Sequence, residues 1–267
     1  MTAALAWAPM PGRPLQRTPR AWAGVRAGLA LLALLALGGC ASLPGEGGSR
    51  KDPWETFNRQ VFAFNEVLDT AAVKPAAQVY QALVPQLVRT GVNNFFGNLG
   101  DVWTSANLLL QAKPRPALEM GMRSLINSVF GLGGVLEVAD DLGLERTSSE
   151  DFGQTLGYWG LGSGPYLMLP LLGPSTLRDA TGLALDLKDS PNSKVWHEAR
   201  DRNIATAVQM LNTRVKLLNA GRVLDEIALD KYILLRDAYL ARRKSLVYDG
   251  EPPDDEAAPA PFKSLMK

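Results

Sequence analysis

The sequence predicts a predominantly helical protein, and three observations carry that reading. Trp54, Phe57, Val61, Phe64 and Leu68 recur at spacings of 3, 4, 3 and 4, the apolar stripe of an α-helix. Val208, Leu211, Val215 and Leu218 keep the same period near the carboxyl end, as do Tyr232, Leu235 and Tyr239. Between these blocks there is no strand-rich region and no internal repeat, while Pro75, Pro85, Pro114 and Pro116 fall where helices start and a missing N–H costs little.

Taken in order, Asp52-Pro53-Trp54-Glu55 reads as a helix start: Asp52 is a good cap, proline suits the first turn, and Glu55 completes a capping box. Core packing is the default explanation of the aromatic stripe that follows. Helices are expected near 75–83, 85–97, 100–112 and 115–130. Residues 131–145 (GLGGVLEVADDLGLE) change character, and Val135 to Val138 can extend, which predicts a loop or short hairpin. Ser149-Glu150-Asp151 opens a short helix. The stretch 157–174, broken by glycines and prolines, is expected to be irregular. Ser175 then caps a helix to about Leu187, and two long helices run from roughly 193 to 219 and 223 to 246.

The ends differ from this body. Arg13, Arg17, Arg20 and Arg26 precede an apolar run, Ala27–Leu37, too short to cross a bilayer core of roughly 30 Å. Small residues then lead to Cys40, the only cysteine. Cationic region, short apolar region and small-residue cleavage site make an export signal. Leu37-Gly38-Gly39-Cys40 has the form of a lipobox, so residues 1–39 are expected to be removed and Cys40 acylated. Acyl chains contribute about 0.8 kcal/mol per buried CH₂, and two or more hold a protein to a membrane almost permanently. Residues 40–51 read as a flexible polar linker. The body spans 52–248, and 249–267, rich in proline and acid, read as a disordered tail.

Removing residues 1–39 takes away four arginines and no acids, which turns a formal charge of +1 into −3. That near-balance argues against nucleic-acid binding. The only histidine, His197, sits in a charged helix start, and without other His or Cys a zinc site has too few suitable ligands. There is no Walker loop, G-x-G-x-x-G or G-x-S-x-G elbow. The acid pairs Asp140-Asp141 and Glu150-Asp151 are explained by a loop surface and a helix first turn. No enzyme, cofactor or metal is expected. Arg178 and Asp179 are adjacent on a helix and are not expected to face each other. Arg178 either pairs with neighbouring segments or meets a phosphate, for which its planar fork is suited.

Several long segments carry a resemblance: DPWETFNRQVFAFNEVLD (52–69), VPQLVRTGVNNFFGNLGD (84–101), LLLQAKP (108–114), RSLINSVFGLGGVLEVAD (123–140), EDFGQTLGYWGLGSGPYLMLPLLGPSTLRD (150–179) and DKYILLRDAYLARR (230–243). In this order, after a lipobox, they resemble the MlaA (VacJ) phospholipid-transport lipoproteins. The resemblance implies an all-α, ring-like bundle of amphipathic helices embedded in the outer membrane around a central amphipathic channel. It implies removal of phospholipids misplaced in the outer leaflet and their transfer to the periplasmic carrier MlaC, with the inner-membrane MlaFEDB complex completing the route. It also implies a trimeric porin as partner.

A lipid path needs polar and apolar surfaces together. Asn58, Arg59, Asn65, Asn93, Asn94 and Asn98, set among Phe57, Phe64, Phe95 and Phe96, are the candidates to supply both, with Arg178 as a further candidate for phosphate. Gly131, Gly133 and Gly134 suggest a hinge for a gating loop, or else a plain helix end. The alternative to transport is a porin-associated scaffold with no lipid path.

Overall fold

The computed structural model describes residues 51–253; the export segment with Cys40, the linker to residue 50 and the tail from 254 lie outside the described residues. The first helix, α1 (Glu55–Leu68), continues through a π turn, Asp69–Val73, into α2 (Lys74–Leu83). Backbone angles stay helical across both junctions. Pro75 therefore does not start a separate helix. Its ring would collide with the carbonyl four residues back, and the wider turn, closed by Lys74 N–H donating to Asp69 O five residues back, makes room for it.

After Pro85 in extended geometry, α3 runs unbroken from Gln86 to Leu110, where the sequence suggested two helices. Gly97, at the end of the first expected helix, faces the Arg146 guanidinium so closely that an added Cβ would sit 2.7 Å from Nη1. The glycine serves a close approach instead of ending the helix. A three-residue turn leads to α4 (Pro114–Phe130), which packs along α3. Next come α5 (Phe152–Tyr158) and an antiparallel hairpin, β1 (Tyr166–Leu169) with β2 (Gly173–Thr176). Then follow α6 (Leu177–Asp189), the short α7 (Pro191–Lys194), α8 (Ala199–Ile227) and α9 (Lys231–Val247).

Asp151 and Asp230 cap α5 and α9 through bonds from Gln154 N (2.8 Å) and Ile233 N (3.2 Å). Thr176, one residue beyond the expected Ser175, caps α6. The break between the last two long helices falls at residues 228–230 and not near 220, because Gly221 costs α8 only about 1 kcal/mol and Asp230 offers a cap.

The hairpin lies at 166–176, not at 131–145. Two asparagines on α1 hold it. Asn58 donates to Tyr166 O (3.1 Å) and accepts from Met168 N (2.8 Å); two turns on, Asn65 donates to Leu169 O (3.0 Å) and accepts from Leu171 N (2.8 Å). Each side-chain amide acts as a strand edge would. Asp52 is likewise not a helix cap: it is fully buried and accepts from Asn58 Nδ2 (2.8 Å), Tyr232 OH and Arg236 Nη1 (3.3 Å).

Two helices, α3 and α4, are turned inside out relative to a water-soluble core. On α4 the buried face is Ala117, Met120, Arg123, Ser124 and Asn127, while Leu118, Met122, Leu125 and Val129 form an exposed stripe. On α3, Asn98, Asp101, Thr104 and Asn107 are buried and Val102, Leu109 and Leu110 exposed. The aromatic stripe of α1, expected in the core, also points outward: Trp54, Phe57 and Phe64 are exposed. Small apolar clusters remain, Leu108 with Ala117 and Met120, and Tyr166 with Met168 and Tyr232. No helix of the described residues is long and apolar enough to cross a membrane.

Candidate functional site

Between α3 and α8 lies a groove of about 770 Å³. Leu87, Val88, Gly91 and Phe95 of α3 form one wall, at helical spacing. Ile204, Ala205 and Val208 of α8 form the other, with Trp196 before it. Phe95 stands 5.4 Å from Phe96 and 6.4 Å from Trp196, ring to ring. Beside the groove is a second cavity of about 410 Å³, lined by Gln81, Gln86, Arg89, Asn93, Asn212, Val215, Lys216 and Asn219. Thr90 borders both. The two helices thus carry an apolar and a polar compartment side by side: α8 changes from Ile204, Ala205 and Val208 to Asn212, Lys216 and Asn219 within a few turns. Asn212 donates to Arg89 O (3.2 Å), and Lys216 donates to Asn93 Oδ1, which ties the helices together at the polar end. Burial lowers the Lys216 ammonium below its usual range, and Arg146 nearby adds repulsion.

The segment after α4 reaches the groove: Val135, Leu136 and Glu137 line it. It is an irregular loop, not a hairpin, because Asn127 Oδ1 accepts from Val138 N and Ala139 N (both 2.9 Å). Its charged anchor is Arg123, 1 % exposed, which meets Asp101 (3.1 Å), Glu137 (2.6 Å) and Asp140 and donates to Leu144 O. Arg146 adds bonds to Asp101 (2.9 Å) and reaches Glu137 (3.4 Å). Burial pushes the Asp101 carboxyl up, while both guanidinium groups act against it.

The sequence candidates separate on this geometry. Asn93 lines the polar cavity, and Asn94 lines the groove and donates to Val135 O (3.1 Å). The others lie elsewhere. Asn58 has no exposed surface, and its amide, like that of Asn65, is committed to the hairpin. Arg59 pairs with Glu55 and Asp230 and lies 4.5 Å over the Tyr232 ring. Asn98 is buried against Ser128. Arg178 folds back on Asp179 (2.9 and 2.8 Å to Oδ1), contrary to expectation for neighbours on a helix. Asp179 is shared with Arg243 and Tyr239, so Arg178 belongs to a buried network and is not open to a phosphate. Arg89, Thr90, Trp196 and Lys216 were missed, although Gln86, Arg89, Thr90 and Asn93 form a polar stripe at helical spacing, as do Asn212, Lys216 and Asn219.

Gly131, Gly133 and Gly134 terminate α4: Gly131 N and Gly134 N donate to Asn127 O, and Gly133 N to Ser128 O. Gly134 must be glycine twice over, with φ +90° and the Asn98 side chain 2.6 Å from where a Cβ would sit.

The profile of the family described as MlaA lipoprotein matches residues 50–246. The intermembrane phospholipid transport system lipoprotein MlaA of Escherichia coli (strain K12) is 36 % identical over 229 residues, covering 82 % of this chain and 90 % of that protein. The Haemophilus influenzae protein of the same name is 33 % identical over 226 residues, covering 83 % and 90 %. A solved structure described as the structural basis for maintenance of bacterial outer membrane lipid asymmetry superposes with a TM-score of 0.66 at 33 % identity, covering 74 % of this chain and all of that one. With the family profile spanning the whole folded body and relatives matched over most of their length, the chain belongs to the MlaA lipoprotein family.

Proposed function

We propose that this protein draws phospholipids misplaced in the outer leaflet of the outer membrane into its groove and passes them inward, maintaining lipid asymmetry. One observation carries the reading: the apolar groove and the polar cavity meet at Thr90, so one path offers surfaces for both acyl chains and a headgroup. The family name of its relatives, a phospholipid transport lipoprotein, supports it. The body lies partly within the bilayer as a ring, anchored additionally through acylated Cys40. Support comes from the exposed apolar stripes, since each such side chain gains about 1.5–3 kcal/mol when taken out of water. The receiving partner is a periplasmic carrier of the MlaC type, which feeds an MlaFEDB-type complex, and a trimeric porin holds the lipoprotein in place. The lipid is moved without chemical change.

A porin-bound scaffold would use the same outer face but has no need of a groove. Ala205→Trp fills the groove from α8 and leaves the outer faces intact. In a strain lacking the native gene, the wild-type chain should restore resistance to detergent plus chelator. The Ala205→Trp chain, present at equal abundance and still porin-bound, should not. Full restoration by Ala205→Trp would favour the scaffold.

A further inference from the structure

Buried cations elsewhere in the body have carboxylates beside them: Arg123 has Asp101 and Glu137, Arg214 has Asp69, Arg236 has Asp52, and Arg243 has Asp151 and Asp179. The polar cavity breaks this rule. Its wall holds two cations, Arg89 and Lys216, and no acid. Among the described residues no carboxylate pairs with either, and Arg89 Nε is buried without a hydrogen-bond partner. Lys216 has only the neutral Asn93 amide oxygen. Lys216 is more exposed, but a buried Arg89 Nε with neither hydrogen bond nor counter-charge is costly, and an anion held in the cavity between the two cations would offset that cost.

Resting on the transport reading above, we propose that Arg89 and Lys216 form an anion subsite that grips the phosphodiester of a glycerophospholipid while its chains lie in the adjoining groove. The guanidinium fork of Arg89 suits two phosphate oxygens, and Lys216 adds a point charge from the facing helix. Thr90, common to both cavities, marks where headgroup gives way to chain. A single phosphodiester neutralises one of the two charges. The surplus disfavours a headgroup that brings its own ammonium, so a net-anionic lipid with a glycerol headgroup binds better than a zwitterionic one. Gln81, Gln86 and Asn219 supply neutral partners for headgroup hydroxyls.

The test is calorimetry on the full-length protein in nonionic detergent, titrated with dihexanoyl phosphatidylglycerol, dihexanoyl phosphatidylcholine and inorganic phosphate. The glycerol lipid should bind more tightly than the choline lipid, and added salt should weaken it more. Arg89→Gln and Lys216→Gln should each weaken it about tenfold and erase the preference. Lys216→Arg should retain most of the affinity, and Arg115→Gln, on the exposed start of α4, should change nothing. Circular dichroism checks that each variant is folded; the salt dependence of the wild type reads the charge without any variant. Equal binding of both lipids, unaffected by salt or by either Gln variant, would overturn the subsite and leave the transport reading standing. Inorganic phosphate binding as tightly as the glycerol lipid would assign the site to a free anion. No binding of either lipid by the wild type would sink the transport reading itself.

Discussion

Arg123 is the most heavily committed side chain in the body, and Arg123→Met removes it at similar volume. The guanidinium joins α3 through Asp101 and the loop after α4 through Glu137, Asp140 and Leu144 O. Removing one partner of a buried ion pair costs about 3–5 kcal/mol, because the remaining charge stays buried and unpaired. Arg146 still reaches Asp101 at 2.9 Å and Glu137 at 3.4 Å, so the lower end, about 3 kcal/mol, applies. For a body of this size that is a fall in melting temperature of about 6–12 °C. Circular dichroism of the detergent-solubilised protein, at one fixed scan rate, measures it. Asp101→Asn made together with Arg123→Met should cost clearly less than the two separate losses combined, since neither charge is then left alone. A melting point within about 2 °C of wild type for Arg123→Met, or strict additivity in the double variant, would refute the idea that this pair network anchors the loop.

Mass spectrometry of membrane-extracted protein should show a chain beginning at Cys40 with added acyl mass, and Cys40→Ser should leave the precursor uncut; an unmodified Cys40 rejects lipidation. Gly133 has φ +72° with open space around it, so Gly133→Ala strains only the backbone, by about 1–2 kcal/mol, whereas proline there would also lose the bond to Ser128 O. If these glycines are a loop hinge, Gly133→Ala should keep normal abundance but become sensitive to detergent plus chelator; full activity would mean that they only end α4. Burial acts to raise the Asp179 carboxyl, but bonds from Arg243 and Arg178 overcome it and hold it below the ordinary carboxylate range. The native state then binds fewer protons than the unfolded one, so this stabilisation is present above about pH 4 and lost as pH falls through the lowered value. The stability gap between wild type and Asp179→Asn should therefore shrink below about pH 4; a gap that stays constant with pH would argue against the charge.

Periodicity and end signals alone determined much of this protein. The helical class and the short helix opening at Asp151 are legible in the chain, because a 3.6-residue stripe and a capping side chain act within a few residues of each other. The family is legible in the long segments that resemble it. The cap at Asp230 is not, since the expected helix ran through it. What periodicity does not contain is the direction in which a stripe faces. Trp54, Phe57 and Phe64 look like core in any water-soluble helix, yet they point outward here. The buried positions went to Asn58, Asn98, Asp101 and Arg123: Arg123 pairs with Asp101, Asn58 bonds to Asp52 and the hairpin, and Asn98 donates to Ser128. Only tertiary structure decided that Asn58 and Asn65 would serve as a strand edge for the hairpin at 166–176, since their partners lie more than a hundred residues away. It also decided that Gly97 would admit Arg146 instead of breaking α3. The groove and the polar cavity arise in the same way: the stripes on α3 and α8 are each visible in the sequence, but their meeting at Thr90 depends on how two helices a hundred residues apart are packed against each other.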